Sequence, residues 1–134
     1  MQRSIAWIED DTHIIAPVVR PLEKMGCIFS QFHTAQAALD GAEHICRHNL
    51  LLLDIIIPTG NAELRLGRFP GIGVLRRLRE NWGLQIPVVV LTVVGRETVV
   101  EALDDLRVDE ILTKPVLPSE LQGAVARILT PKGA

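Results

Sequence analysis

Tyrosine is absent from this 134-residue chain, and aromatic residues make up only 4% of it. That leaves no row of aromatic faces on which unpaired nucleobases would stack. Cysteine is equally scarce. The two present, Cys27 and Cys46, fit a reducing compartment better than a disulfide scaffold, so both are expected to be unpaired thiols. No long apolar run exists: Val88 to Leu91 is broken by Thr92, far short of the roughly 20 residues that a membrane helix needs. Neither sign of charge dominates. Fourteen basic against sixteen acidic side chains give a net charge of −2, with no whole-protein attraction to nucleic acid or an anionic membrane. The first residues, Met1-Gln2-Arg3-Ser4, lead directly into a strand-like run with an acidic end, which is not the pattern of a signal peptide. A cytoplasmic location is the expectation. Internal repeats and low-complexity segments are missing as well.

What is present is ordinary for a globular domain: 48% hydrophobic and 22% charged residues. The length predicts one domain over residues 1–134, with a core over about 3–129, burying close to ~70% of the unfolded surface. Strand-like runs at Ser4–Ile8, Cys27–Gln31, Leu50–Asp54, Val88–Thr92 and Glu110–Thr113 alternate with helix-like ones. The helices are expected at Thr12–Lys24, Ala35–His48, Gly71–Asn81, Glu97–Leu106 and Ser119–Leu129, the last opened by a capping box of Ser119 and Gln122. Strict alternation of this kind predicts a parallel α/β sheet, doubly wound, with right-handed crossovers.

Asp54 carries the most information. It closes Leu50-Leu51-Leu52-Leu53, a run that reads as a strand buried on both faces. A carboxylate there costs several kcal/mol to desolvate unless it is paired or faces a cleft. The carboxyl ends of parallel strands form the rim where ligands bind. On that rim Glu9, Asp10 and Asp11 follow the first strand, Thr92 ends the fourth, and Lys114-Pro115 follows the fifth. Clustered carboxylates repel, which a hard divalent cation such as Mg²⁺ relieves. Lysine and threonine donate to phosphoryl oxygens. The set points to a carboxylate nucleophile that accepts a phosphoryl group.

From about Arg3 to Leu129 the chain resembles the receiver domain of two-component response regulators. The matching pieces are Glu9-Asp10, the D-x-x-x-P motif from Asp54 to Pro58, Thr92, and Lys114-Pro115. The resemblance implies a flavodoxin-like (βα)5 fold, five parallel strands in the order 2-1-3-4-5. It implies that Asp54 is the phosphoacceptor, that Mg²⁺ is held by Glu9, Asp10, Asp54 and the Ile56 carbonyl, that Lys114 and Thr92 contact the phosphoryl group, and that Pro115 fixes the next turn through a cis bond. Implied partners are a sensor histidine kinase or phosphotransfer protein and a downstream protein or output domain. The output face is the fourth helix, fifth strand and fifth helix, about Glu97–Leu129. A homodimer is a further option; membrane and nucleic acid are not expected partners of this domain.

Three positions depart from the family pattern. Ile111 stands where an aromatic switch residue is usual, three residues before Lys114. Val93 follows Thr92 where a small residue is usual, which predicts narrower access to Asp54. Without a polar group at Ile56 or Val94 to orient water, a long-lived acyl phosphate is expected. Residues 59–70 form an insertion before Gly71, too long for an ordinary βα loop. This insertion carries Arg65 and Arg68, and the next helix adds Arg76, Arg77 and Arg79. Two readings stand: a flexible loop with a solvated helix face, or an element that docks a partner or covers the site.

Other readings are weaker. A phosphatase with an aspartate nucleophile would want a second aspartate at position 56, where Ile56 stands. A degenerate receiver, used only for docking or dimerisation, leaves the complete acidic and basic set unexplained. His44 and His48 have a metal-binding spacing but no third ligand beyond Cys46 or Asp40. His13 and His33 read as surface residues. Gly71-Ile72-Gly73 lacks the third glycine of a dinucleotide fingerprint.

Overall fold

The computed structural model describes residues 2–130, with Ile14 and Ile15 described by their backbone. Five parallel strands form one sheet: β1 (Arg3–Ile8), β2 (Cys27–Phe32), β3 (Leu50–Asp54), β4 (Val88–Thr92) and β5 (Glu110–Thr113), ordered β2-β1-β3-β4-β5. This is the doubly wound, flavodoxin-like arrangement, and its switch point lies between β1 and β3. Side chains alternate across it. Ile5, Trp7, Leu50, Leu52, Val89 and Leu91 face a cluster closed by α1 (Thr12–Lys24) and α6 (Pro118–Leu129). Ala6, Ile8, Leu51, Leu53, Val88 and Val90 face the larger cluster under α2 (Ala35–Asp40), α3 (Ala42–Cys46), α4 (Pro70–Trp82) and α5 (Arg96–Leu103). Because both faces are covered, β3 and β4 are buried along their entire length.

The single helix expected over Ala35–His48 is two, divided at Gly41. A Cβ at Gly41 would lie 2.6 Å from Cε1 of Phe32, so the chain bends where it presses on that ring. The expected cap at Ser119 is also displaced. The helix opens at Pro118, whose fixed φ suits a first turn, and Glu120 accepts from the Leu117 amide at 3.3 Å. The helix expected to run to Leu106 tightens into a 3₁₀ turn at Asp104–Leu106.

The segment between β3 and α4 has no regular structure, yet it is stitched down at both ends. The amides of Ala35 and Gln36 donate to the carbonyls of Pro58 (2.9 Å) and Thr59 (2.8 Å), while Thr34 Oγ1 accepts from Ala37 at 3.0 Å. Three orphan donors at the start of α2 are thus satisfied, two of them by the loop. Further along, Leu64, Leu66 and Phe69 pack against the larger core cluster. Cys27 is buried, Cys46 is half-buried, and both are free thiols. Among the described residues no helix is long and apolar enough to cross a membrane.

Candidate functional site

The ends of β1, β3 and β5 bring three charged groups together. Lys114 Nζ donates to Glu9 Oε1 at 2.5 Å and to Asp54 Oδ2 at 2.9 Å. Glu9 is 1% exposed and Asp54 5%, so this ammonium sits between two buried carboxylates. Local backbone fixes each of them. The Glu9 amide donates to Phe32 O at 3.0 Å and its carbonyl accepts from Gln31 Nε2 at 3.1 Å, while Glu9 Oε2 accepts from the Asp10 amide at 3.0 Å. The other oxygen of Asp54, Oδ1, accepts from the Ile56 amide at 3.2 Å. Asp11 instead turns to α1, accepting from the His13 amide at 2.9 Å, a role at the helix start.

Glu9, Asp10 and Asp54 each place a ligand atom within 4.8 Å of the others, with Asp10 the exposed member. One ammonium between two carboxylates leaves negative charge in excess. Glu9 registers it: burial first, then the neighbouring Asp54, raise its pKa from 4.5 to about 7, against the pull of Lys114. Burial alone would lower the Lys114 ammonium, but its bonds to Glu9 and Asp54 raise it overall. A hard divalent cation fits this donor set, since three carboxylates present oxygen ligands and one ammonium compensates only part of their charge.

Thr92 lies one residue beyond the Asp54–Leu91 register pair. It is fully buried; its Oγ1 accepts from the Val94 amide at 2.9 Å and its carbonyl from the Lys114 amide at 2.8 Å. The Lys114–Pro115 bond is cis. Ile111 packs half-buried against the larger cluster. Val93 is 68% exposed and borders an apolar pocket of about 530 Å³ with Trp7, Val18, Lys114 and Pro115.

A family model for the response regulator receiver domain matches residues 5–126. The chain belongs to the response-regulator receiver family. It is 27% identical over 129 residues to the alkaline phosphatase synthesis transcriptional regulatory protein PhoP of Bacillus subtilis, covering 96% of this chain and 49% of that one. The receiver therefore spans about half the length of that relative. The BeF3-activated DrrB receiver domain superimposes with a TM-score of 0.74 at 25% identity, over 96% of this chain and 98% of that one. A CheY-like receiver from Methanospirillum hungatei shares the fold, with a TM-score of 0.77 at 21% identity over 95% and 93% of the two chains.

Sequence reasoning overlooked two positioning residues. Gln31 lies one residue before the end of β2, beside Glu9, and a polar residue near a strand end was the available signal. Gly71, noted as the glycine opening a helix, lies so close to β3 that a Cβ there would meet Asp54 O at 2.2 Å. His48 is not free to bind metal. Its Nδ1 donates to His44 O at 2.7 Å and its Nε2 accepts from Ser30 Oγ at 2.9 Å. Arg79, expected among the exposed arginines, spends its donors on main-chain carbonyls.

Proposed function

We propose that this receiver accepts a phosphoryl group on Asp54 and passes the change to a protein partner. The observation that carries the reading is Lys114 Nζ bonded to both Glu9 and Asp54, at the ends of three strands that meet on one rim. In the transfer, an Asp54 oxygen attacks phosphorus on a phosphohistidine of the donor. The P–N bond breaks as the P–O bond forms, and the imidazole leaves neutral, having carried its proton on the other ring nitrogen. Glu9, Asp10, Asp54 and the Ile56 carbonyl would hold Mg²⁺, which neutralises charge on the phosphoryl oxygens when bound. Lys114 would move from the carboxylates to a phosphoryl oxygen, a cation already placed and needing little reorganisation. The Thr92 hydroxyl, donated to by Val94, still has its own proton to give to another phosphoryl oxygen.

On this reading the histidine-kinase partner docks at the rim and the output face lies over residues 97–129. Ile111 fills the switch position, so an aliphatic side chain replaces aromatic rotation there. Mass spectrometry after acetyl phosphate and Mg²⁺ should add one phosphoryl group to the peptide containing Asp54, and none in Asp54→Asn. Labelling elsewhere, or none in the wild type, would refute the proposal. Partner binding that is identical in wild type and Asp54→Asn under phosphorylating conditions would instead favour a docking module.

A further inference from the structure

The insertion builds a groove that the phosphoacceptor chemistry does not use. Arg65 and Arg68 line one side, and Arg76, Arg77 and Glu80 of α4 the other, of a cavity of about 490 Å³. The floor is apolar, made by Leu66, Phe69, Ile72 and Ala102. The loop side is held against α4 by close contact: a Cβ at Gly73 would meet Leu66 O at 2.6 Å, so only glycine lets the loop lie this near. Arg77 Nη2 adds a bond to Arg65 O at 3.3 Å.

Its charge is out of keeping with the rest of the molecule. Four arginines and one glutamate line the groove, in a chain whose net charge is −2. Arg76 is matched by Asp105 at 2.8 Å and Glu80 at 3.7 Å. Among the described residues no carboxylate pairs with Arg65, Arg68 or Arg77. Arg65 donates to Ala62 O, and Arg68 lies over the Phe69 ring, 4.9 Å from its centroid. Three guanidiniums with charge to spare, over an apolar floor, are the complement of a chain bearing carboxylates and apolar side chains together.

We infer that this groove docks an acidic segment of a partner protein, with its carboxylates on Arg65, Arg68 and Arg77 and an apolar side chain on Leu66, Phe69 and Ile72. A nucleic acid fits less well. Among the residues lining the groove Phe69 is the single aromatic, and Arg68 lies over its ring, so bases find no row of aromatic faces on which to stack.

The test selects short random peptides on the immobilised whole chain, with a single-stranded oligonucleotide measured alongside. Expected are peptides rich in Asp and Glu with at least one large apolar residue. Their affinity should fall by roughly tenfold or more in Arg65→Glu/Arg68→Glu and hold in the distant pair Arg20→Glu/Arg47→Glu. Both altered loop residues are exposed, and circular dichroism checks that the variant folds. Amide shifts on the wild-type protein provide a second readout, expected to centre on Ile72, Gly73 and Ala102. The inference is overturned if no peptides are enriched, if they are neutral or basic, or if both variants weaken them equally. Shifts centred elsewhere overturn it too, as does an oligonucleotide that depends on Arg65 and Arg68 while acidic peptides do not bind.

Discussion

Two glycines in helices should respond to alanine with opposite signs, and the difference follows from what each Cβ would touch. Gly123, inside α6, has only Arg127 Nη1 nearby, at 3.4 Å from an ideal Cβ. That contact is ordinary and its partner is the end of a flexible side chain. Gly123→Ala should therefore show the normal gain of a helix interior, about 0.5–1 kcal/mol. Gly71, at the start of α4, meets Asp54 O at 2.2 Å, Ile55 Cα at 2.7 Å and Ile55 O at 2.9 Å. All three are main-chain atoms of the strand end that carries the proposed nucleophile.

Reaching the 3.0 Å that real Cβ contacts keep would require α4 and the end of β3 to separate by about 0.8 Å, the shortfall at Asp54 O. Overpacking of this kind costs about 1–3 kcal/mol. The Gly71 amide bond to Ile55 O, 2.8 Å long, would be strained with it, at a further cost of about 1 kcal/mol. Setting helix propensity against these, Gly71→Ala should destabilise by about 1–3 kcal/mol. Urea unfolding is the assay, with a midpoint lowered by on the order of 1 M for Gly71→Ala and raised for Gly123→Ala. Because the clash falls on Asp54 itself, acetyl phosphate labelling should also slow by roughly tenfold or more. A Gly71→Ala midpoint at or above that of the wild type would refute the argument.

Three shorter expectations follow. Arg79 donates to the carbonyls of Leu84 (2.8 Å), Ile86 (3.1 Å), Leu106 (3.0 Å) and Arg107 (3.0 Å), so Arg79→Met should cost about 2–4 kcal/mol in urea unfolding, with Arg79→Lys restoring only part of it. Burial lowers His48 below the ordinary 6.5, helped by His44 and opposed by the His44 and Ile45 backbone bonds, so the native state holds it neutral while the unfolded chain takes up a proton. Its contribution is complete above 6.5 and is lost as pH falls through the lower native value; stability measured between about pH 7.5 and about pH 5 should drop more in the wild type than in His48→Gln, and parallel curves would contradict this. Val93→Ala should be labelled faster than wild type by acetyl phosphate if the branched side chain restricts access to Asp54, and equal rates would remove that idea.

The strands and the rim were legible because they depend on short-range rules. Leu50-Leu51-Leu52-Leu53 must be buried on both faces, and a carboxylate ending such a strand needs partners. Lys114 supplies them, and its register beside Thr92 follows from the parallel pairing of β4 with β5. What the sequence concealed depends on contacts made across the fold. Asp40-Gly41 is a local turn signal inside an otherwise helical run; what makes it a break is Phe32, nine residues earlier, pressing on it from β2. Nothing in Arg79 separates it from Arg76 and Arg77, three and two positions back, until the chain at 84–86 and 106–107 turns its carbonyls toward it.

The insertion shows how one piece of chain serves two surfaces. Its first residue, Thr59, joins Pro58 before it in finishing the N-terminus of α2 with their carbonyls, and its last leads into Gly71, whose amide bonds Ile55 O beside Asp54. Between them Leu64, Leu66 and Phe69 anchor it to the core, leaving Arg65 and Arg68, three residues apart, exposed. A flexible loop would need no such anchors and would lose conformational entropy by acquiring them. Half-buried leucines beside exposed arginines fit an element whose outer face must hold a shape. Because that face adjoins Gly71, whose amide bonds Ile55 O beside Asp54, a ligand held there and a phosphoryl group on the proposed acceptor would, where coupled, be coupled reciprocally.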